Sequence, residues 1–342
     1  MATFPVSSSI LSSAHLGKFL QKKYGLGENT SCQVLKDGVN HSYLLTDGTR
    51  KAIFRIYSLD WRTETEISEE LRLLTLLQKN GLPVSYPLVD SDGGFIQEFS
   101  APEGRRFGVL FSFAEGEKLL TFSGELHYKI GQIMARFHQL THNLTLKRAR
   151  YTPQLLLVDS LDLVKPFLVA ESTELTFLHD IQRYLLEEFS TIDRTGTREG
   201  IVHLDIWFDN LNIDKDGQVT LFDFDFCGSG LLCTDIAYYI LQIHSTEADE
   251  AEFWKKKESF LAGYESITKI SEEEKRLLPM LGLSVYLFYL GVQCQRFDNW
   301  SNVFLNDLHL KRFINLRIKR WADFNRIFPA DKVDSITYSS PG

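Results

Sequence analysis

Cysteine is scarce in this 342-residue sequence: Cys32, Cys227, Cys233 and Cys294 are the only four, and no two have C-x-x-C spacing. That excludes a disulfide scaffold. Their surroundings also lack a zinc-site pattern, so they read as reduced thiols of a cytoplasmic protein. Basic charge is short as well, with Lys+Arg 37 against Asp+Glu 45 and a formal net charge of -8. A broad nucleic-acid footprint needs a basic face, so the balance argues against one while leaving room for a cationic partner. The start, MATFPVSSSILSS, has no basic region before an apolar run, and no signal peptide is expected. Internal repeats and low-complexity linkers are lacking. Residues Leu277 to Gln295 form one long uncharged run, but Pro279, Gly282, Ser284, Gly291, Gln293 and Gln295 interrupt it and no second span follows. A buried helix is expected there, and no membrane association. What remains is ordinary globular composition, 44% hydrophobic and 24% charged, in a chain long enough for two packed lobes.

The first third reads as strands and one helix. Residues 31–36, 40–45 and 51–57 are short alternating runs separated by Asp37-Gly38 and Asp47-Gly48. Residues 62–79 have helical spacing, with Leu71, Leu74 and Leu77 on one face and Asn80-Gly81 as a stop. Two further strands are expected over 94–99 and 107–113. After Gly116 the pattern turns helical, over 126–140, 175–189 and much of 247–328. A small hairpin around Asp214-Lys-Asp-Gly217 interrupts it. The seam falls near residues 111–117, giving an N-terminal lobe of 1–112 and a C-terminal lobe of 113–342.

Chemistry concentrates in residues 201–236, IVHLDIWFDNLNIDKDGQVTLFDFDFCGSGLLCTDI. His203, Asp205, Asn210 and Asp223 lie there beside a hairpin that can bring their ends together. Magnesium prefers oxygen ligands and usually takes one or two from protein, with phosphates and water completing the shell. Asn210 and Asp223 suit that role. Asp205 is then free to accept a proton from a substrate hydroxyl, which points to phosphoryl transfer.

The run H-x-D-x-x-x-x-N (His203, Asp205, Asn210), followed by a hydrophobic strand ending in Asp223-Phe224, resembles the protein-kinase-like fold. More closely it resembles the superfamily of aminoglycoside phosphotransferases, choline kinases and homoserine kinases. T-D-I-A around Asp235 matches the D-L-A that such proteins carry after the metal aspartate. G-x-N-x-x-Y at Gly38, Asn40 and Tyr43 looks like their nucleotide-covering hairpin, and F-R-I-Y around Arg55 like the strand bearing the phosphate-contacting base. The helix containing Glu70 and ending in N-G-L-P-V looks like the one supplying its carboxylate partner. V-L-F-S-F-A-E-G, Val109 to Gly116, looks like the hinge, and the Met134–His138 run like the helix before the catalytic segment. Beyond about Tyr264 only generic helices remain.

The resemblance implies a two-lobe α+β fold with a five-stranded N-lobe sheet and a mostly helical C-lobe. It also implies ATP and Mg2+ as cofactors and a small, amine-containing molecule with a hydroxyl as acceptor. In this assignment Ser112, Phe113 and Ala114 hold adenine, Asn40 covers the nucleotide, Arg55 steadied by Glu70 clamps phosphates, Asn210 and Asp223 hold metal, and Asp205 takes the proton. Two departures stand out. The base is Arg55 where lysine is usual, with Lys51 on the same strand face as a fallback. Trp207 occupies the position where protein kinases place a lysine, favouring a small metabolite over a protein substrate. There is no G-x-G-x-x-G. A serine/threonine protein kinase and a non-catalytic nucleotide-binding scaffold are the competing readings.

Plainer readings stand beside several of these. Asn212 to Gly217 followed by Asp223 partly fits a calcium loop, but a surface turn is expected. Asp223-Phe-Asp225 resembles the D-x-D of aspartyl phosphatases, yet lies too late in the chain. His203 is expected to hold the catalytic loop rather than react. Trp207, Phe208, Trp254 and Trp300 offer an alkylammonium cage, against ordinary core packing for each.

Overall fold

In the computed structural model, which describes residues 4–48 and 50–327, the N-lobe sheet runs in the order β1-β2-β3-β5-β4, antiparallel throughout. Its strands are β1 (Ser31–Asp37), β2 (His41–Thr46), β3 (Lys51–Ile56), β4 (Ile96–Ala101) and β5 (Gly104–Ser112). Period-two alternation sorts their side chains by face. Ala52, Phe54 and Ile56 of β3 join Tyr43, Leu45 and Leu110 in a small core beneath α1 (Ser13–Tyr24). Arg55, of opposite parity, therefore points to the other face, towards α2 (Glu64–Lys79). That helix begins with a Thr63–Glu66 capping box and buries Leu71, Leu74 and Leu77.

The C-lobe holds α3 (Gly124–Thr141), α4 (Ser160–Val164), α5 (Thr173–Ser190), α6 (Cys233–Thr246), α7 (Glu250–Glu265), α8 (Glu272–Gln295), α9 (Asp307–Phe313) and α10 (Arg320–Phe324). Two small antiparallel pairs lie among them: β6 (Glu199–Val202) with β9 (Gly228–Leu231), and the hairpin β7 (Leu211–Ile213) with β8 (Val219–Leu221). Helix α8 passes the length and hydropathy test for a membrane span, but 83% of that window is buried inside the molecule, so it is the C-lobe's core helix. All four cysteines are free, and three of them are buried.

The five strands and the long helix fall within a few residues of expectation. Helix α1 and the β6–β9 pair were not anticipated, and the last expected residues, 328–342, lie outside the described residues. The Asp214–Gly217 segment is a turn, with Asp214 Oδ1 accepting from the backbone N–H of Asp216 and Gln218 at 2.8 and 2.9 Å. No cluster of three or more His, Cys, Asp or Glu side chains suited to a metal occurs among the described residues.

Candidate active site

Two backbone contacts frame the cleft between the lobes. After α2 the chain pairs with β8, Ser85 N–H donating to Leu221 O and Leu221 N–H to Pro83 O, both at 2.9 Å. At the hinge Glu117 bridges Ile213, and Gly116, at φ +97°, makes the approach possible because a Cβ there would meet Ile213 O at 2.2 Å. Between these contacts opens a cavity of about 430 Å³, lined by Ile53, Arg55, Glu70, Phe113, Asn210 and Asp223 among others. A second cavity of about 410 Å³ continues outward past Asn40, Asp205, Trp207, Tyr238 and Tyr289, and Arg55, Asn210 and Asp223 line both.

Arg55 is the junction of a charged network. Its Nη1 lies 3.1 Å from Glu70 Oε1 and its Nη2 2.9 Å from Asp223 Oδ1. Burial works against the guanidinium charge, but Asp223 and Glu70 outweigh it and hold the pKa above the ordinary arginine value. Glu70 is fully buried; it also accepts from Tyr57 Oη at 3.0 Å and faces Arg148 Nη1 at 3.7 Å. Lys51 is instead exposed, its Nζ 5.0 Å from the centre of the Phe113 ring.

The catalytic loop is fixed from below. Asp235 Oδ2 accepts the backbone N–H of His203 at 2.8 Å and Oδ1 that of Leu204 at 2.7 Å, while His138 Nε2 lies 3.1 Å from Oδ2. This holds Leu204 at φ 66°, a left-handed conformation that branched apolar residues adopt only when their surroundings impose it. His203 is buried, its pKa lowered by desolvation; its Nδ1 accepts from Asp205 N–H at 3.1 Å and its Nε2 sits 3.2 Å from Phe222 O. It therefore links the loop to the strand that ends at Asp223.

Asp205 is held from both sides. Tyr238 Oη donates to Oδ1 at 2.7 Å and Asn210 Nδ2 to Oδ2 at 2.7 Å. Burial pushes its carboxyl up to about 7, and nearby Asp223 adds to the rise against the hydrogen bonds. With its amide nitrogen committed to Asp205, Asn210 has its oxygen left to bind a cation. Asp223, at φ 65° and ψ 64°, lies beside it on the cleft wall. This donor set fits a hard divalent ion that takes few protein ligands and completes its shell from phosphate.

The remaining expected residues occupy distinct places. Asn40 Oδ1 accepts from Ser58 N–H at 3.2 Å, tying the hairpin turn to the end of β3, and it lines the outer cavity rather than the inner one. Ser112, Phe113 and Ala114 all line the inner cavity. Ser112 already uses its backbone, donating to Tyr86 O at 2.8 Å and accepting from Ser85 Oγ at 2.6 Å. Of the aromatic quartet, Trp207 and Trp300 line the outer cavity, Phe208 packs on Trp207, and Trp254 stacks on Phe324 on α10. The four do not form one cage.

Several participants were not anticipated. Tyr238 sits one turn after Asp235, so the T-D-I-A-Y run contained a signal for it. Asn212 donates to Ala114 O at 2.6 Å, and its buried Oδ1 has no partner inside the nucleotide-sized cavity. Asp209 grips two lysines, Lys36 Nζ at 3.1 Å and Lys118 Nζ at 2.6 Å.

Comparison with known proteins agrees with this geometry. The model of the phosphotransferase enzyme family matches residues 31–267. An uncharacterised protein of Synechocystis is 30% identical over 295 residues, covering 85% of this chain and 81% of its own. A homoserine kinase of Methylobacillus glycogenes is 26% identical over 309 residues, covering 90% and 89%. Among solved structures, an amicoumacin kinase in complex with AMP-PNP, Ca2+ and Ami has the same fold, with a TM-score of 0.74 at 19% identity and coverage of 95% and 98%. The chain thus belongs to the phosphotransferase enzyme family and is a small-molecule kinase that uses a hydroxyl group as acceptor.

Proposed function

We propose that this chain transfers the terminal phosphoryl group of ATP to the hydroxyl of a small, amine-containing metabolite. Residues 1–112 form the nucleotide lobe and 113–342 the catalytic and acceptor lobe, in the cytoplasm. The carrying observation is Asp205, poised in the outer cavity between Tyr238 and Asn210, the latter lining both cavities. The fold of the AMP-PNP-bound amicoumacin kinase supports nucleotide use, and the unpartnered Asn212 Oδ1 beside the hinge offers an acceptor for a ligand donor.

In this reading the backbone of Phe113 and the N–H of Ala114 receive adenine, since the backbone of Ser112 and the Ala114 carbonyl are taken. Asn40 braces the covering turn. Arg55 binds phosphate oxygens with its planar fork, which suits bidentate contact, and Glu70 keeps it aimed. Magnesium held by Asn210 and Asp223 would neutralise charge on the phosphates. Asp205 accepts a hydrogen bond from the acceptor hydroxyl and takes its proton as the new P–O bond forms. Tyr238 and Asn210 keep that carboxylate aligned. The acceptor lies against Trp207, Tyr238, Tyr289 and Trp300, whose faces suit an ammonium group.

An ATP-turnover screen against amino alcohols, hydroxy amino acids, aminoglycosides and sugars tests the function; turnover confined to protein substrates would sink it. Calorimetry tests the metal assignment: Asp223→Ala is expected to lose magnesium-dependent nucleotide binding, and normal MgATP affinity in that variant would remove Asp223 from the role.

A further inference from the structure

Three cations line the outer cavity: Lys36, Arg55 and Arg317. Two are already paired, Lys36 with Asp209 and Arg55 with Glu70 and Asp223. Arg317 has no carboxylate within ion-pair distance among the described residues; its guanidinium sits 5.5 Å from the Phe313 ring. Beyond it the cavity adjoins a chamber of about 360 Å³ that shares Tyr286, Gln293, Phe313 and Arg317 with it, and which Asp205 does not line. That chamber adds Arg312 and Arg320, both also unpaired with any described carboxylate, and no Asp or Glu lines it. Its two imidazoles add no charge at neutral pH: burial pushes His244 down to about 4, helped by Arg320, and burial with Arg317 lowers His309.

Solvated surface arginines are the plainer explanation, since all three heads are exposed. Single exposed cations without an ion pair occur elsewhere, Lys79 and Arg136 among them, but here three line one chamber that no carboxylate lines, although Lys311 on the neighbouring turn finds Asp307 at 2.9 Å. Three unpaired guanidiniums converging on one chamber, in a chain of net charge -8, leave a charge deficit that an anion would fill. Guanidinium forks match carboxylate and phosphate oxygens bidentately.

We propose that the acceptor of this kinase carries an anionic group, a carboxylate or a phosphate, remote from its reacting hydroxyl and held by Arg317 and Arg320. The inference rests on the assignment of Asp205 to the acceptor hydroxyl. Arg317 is then a specificity-determining residue, which sorts hydroxyl compounds by the charge at their far end.

Matched pairs test this: 4-hydroxybutyrate against 1,4-butanediol, and glycerol 3-phosphate against glycerol. Binding is measured by calorimetry and thermal shift on the full chain, wild type and Arg317→Met, Arg320→Met and Arg317→Lys. The wild type is expected to bind the charged member of at least one pair at least tenfold more tightly than its neutral mate. Which pair responds separates carboxylate from phosphate. Arg317→Met should abolish that difference and Arg317→Lys retain part of it, the latter excluding a folding defect. Equal binding within both pairs, or a preference unchanged in Arg317→Met and Arg320→Met, overturns the proposal. ATP consumption, assayed in parallel, keeps the two readings apart. Anion binding lost in Arg317→Met without any ATP turnover sinks the kinase assignment alone, whereas turnover on neutral acceptors indifferent to Arg317 sinks the anion site alone.

Discussion

The chemistry rests on single groups whose surroundings set their protonation. Asp205 must be ionised to take a proton, yet burial raises its carboxyl to about 7. In the free enzyme its acid form therefore dominates below that value. The pH profile of kcat/KM for the acceptor is expected to fall towards acid, its limb lying below 7 because magnesium on Asp223 offsets that carboxylate's charge, and a flat profile down to pH 5 would contradict the base role. Asp205→Asn keeps the size and the Tyr238 contact but removes the base, so kcat should fall by about 10²–10⁴ with nucleotide affinity nearly intact. Unchanged turnover would remove Asp205 from the mechanism. His203 was legible from the sequence as a supporting residue, and it does link the loop to the strand before Asp223. The tyrosines around Asp205 were harder to read: Tyr289 lies 84 residues away on α8, where only tertiary packing brings its hydroxyl to Leu204 O at 3.1 Å.

At the level of elements, the packing of α3 on α7 supports the catalytic loop, because His138 on α3 reaches both Tyr264 on α7 and Asp235. The two helices approach at glycines: a Cβ at Gly263 would stand 2.0 Å from Tyr128 O, and one at Gly131 2.2 Å from Phe260 O. Gly263→Ala must push the pair apart, and overpacking of this kind costs about 1–3 kcal/mol. Thermal unfolding should show a lowered Tm; an unchanged Tm would mean the helices slide freely. Although only β2 alternates strictly in burial, strand positions were readable because the runs are short and punctuated by turns such as Asp37-Gly38 and Asp47-Gly48. β9 was not, since Gly228-Ser-Gly-Leu has no strand character and becomes one only by pairing with β6. Helix α1 carried an overlooked signal: Leu16 and Leu20 recur at helical spacing between Ser12 and a Gly25 in left-handed conformation.

Across the whole molecule, Arg148 is among the buried side chains that join the lobes. Arg148 donates to Glu66 O at 2.6 Å, to Cys227 O at 2.8 Å and to Asp225 O, while Asp225 in turn accepts from Trp61 Nε1 at 2.6 Å and Arg62 Nε at 3.2 Å. No sequence motif marks Arg148, because its partners come from two distant segments, α2 and residues 225–227. Helix α2 is thereby fastened in the position that lets Glu70 meet Arg55. Arg148→Met leaves buried acceptors unpaired and is expected to cost about 3–5 kcal/mol, with a lowered Tm and reduced turnover together. Turnover unaffected by that change would show that α2 needs no such anchor. The grip of Lys36 and Lys118 on Asp209 has a different consequence. It supplies those lysines with a resident counter-ion at the rim of the nucleotide cavity, so an entering polyanion displaces one already there. Asp209→Asn should therefore tighten nucleotide binding at low ionic strength, with the gain fading towards 1 M salt, where the Debye length shrinks to about 3 Å. Weaker binding at low salt would show instead that Asp209 assists the nucleotide. On this account the enzyme trades affinity for a cleft whose nucleotide uptake is buffered against changes in salt.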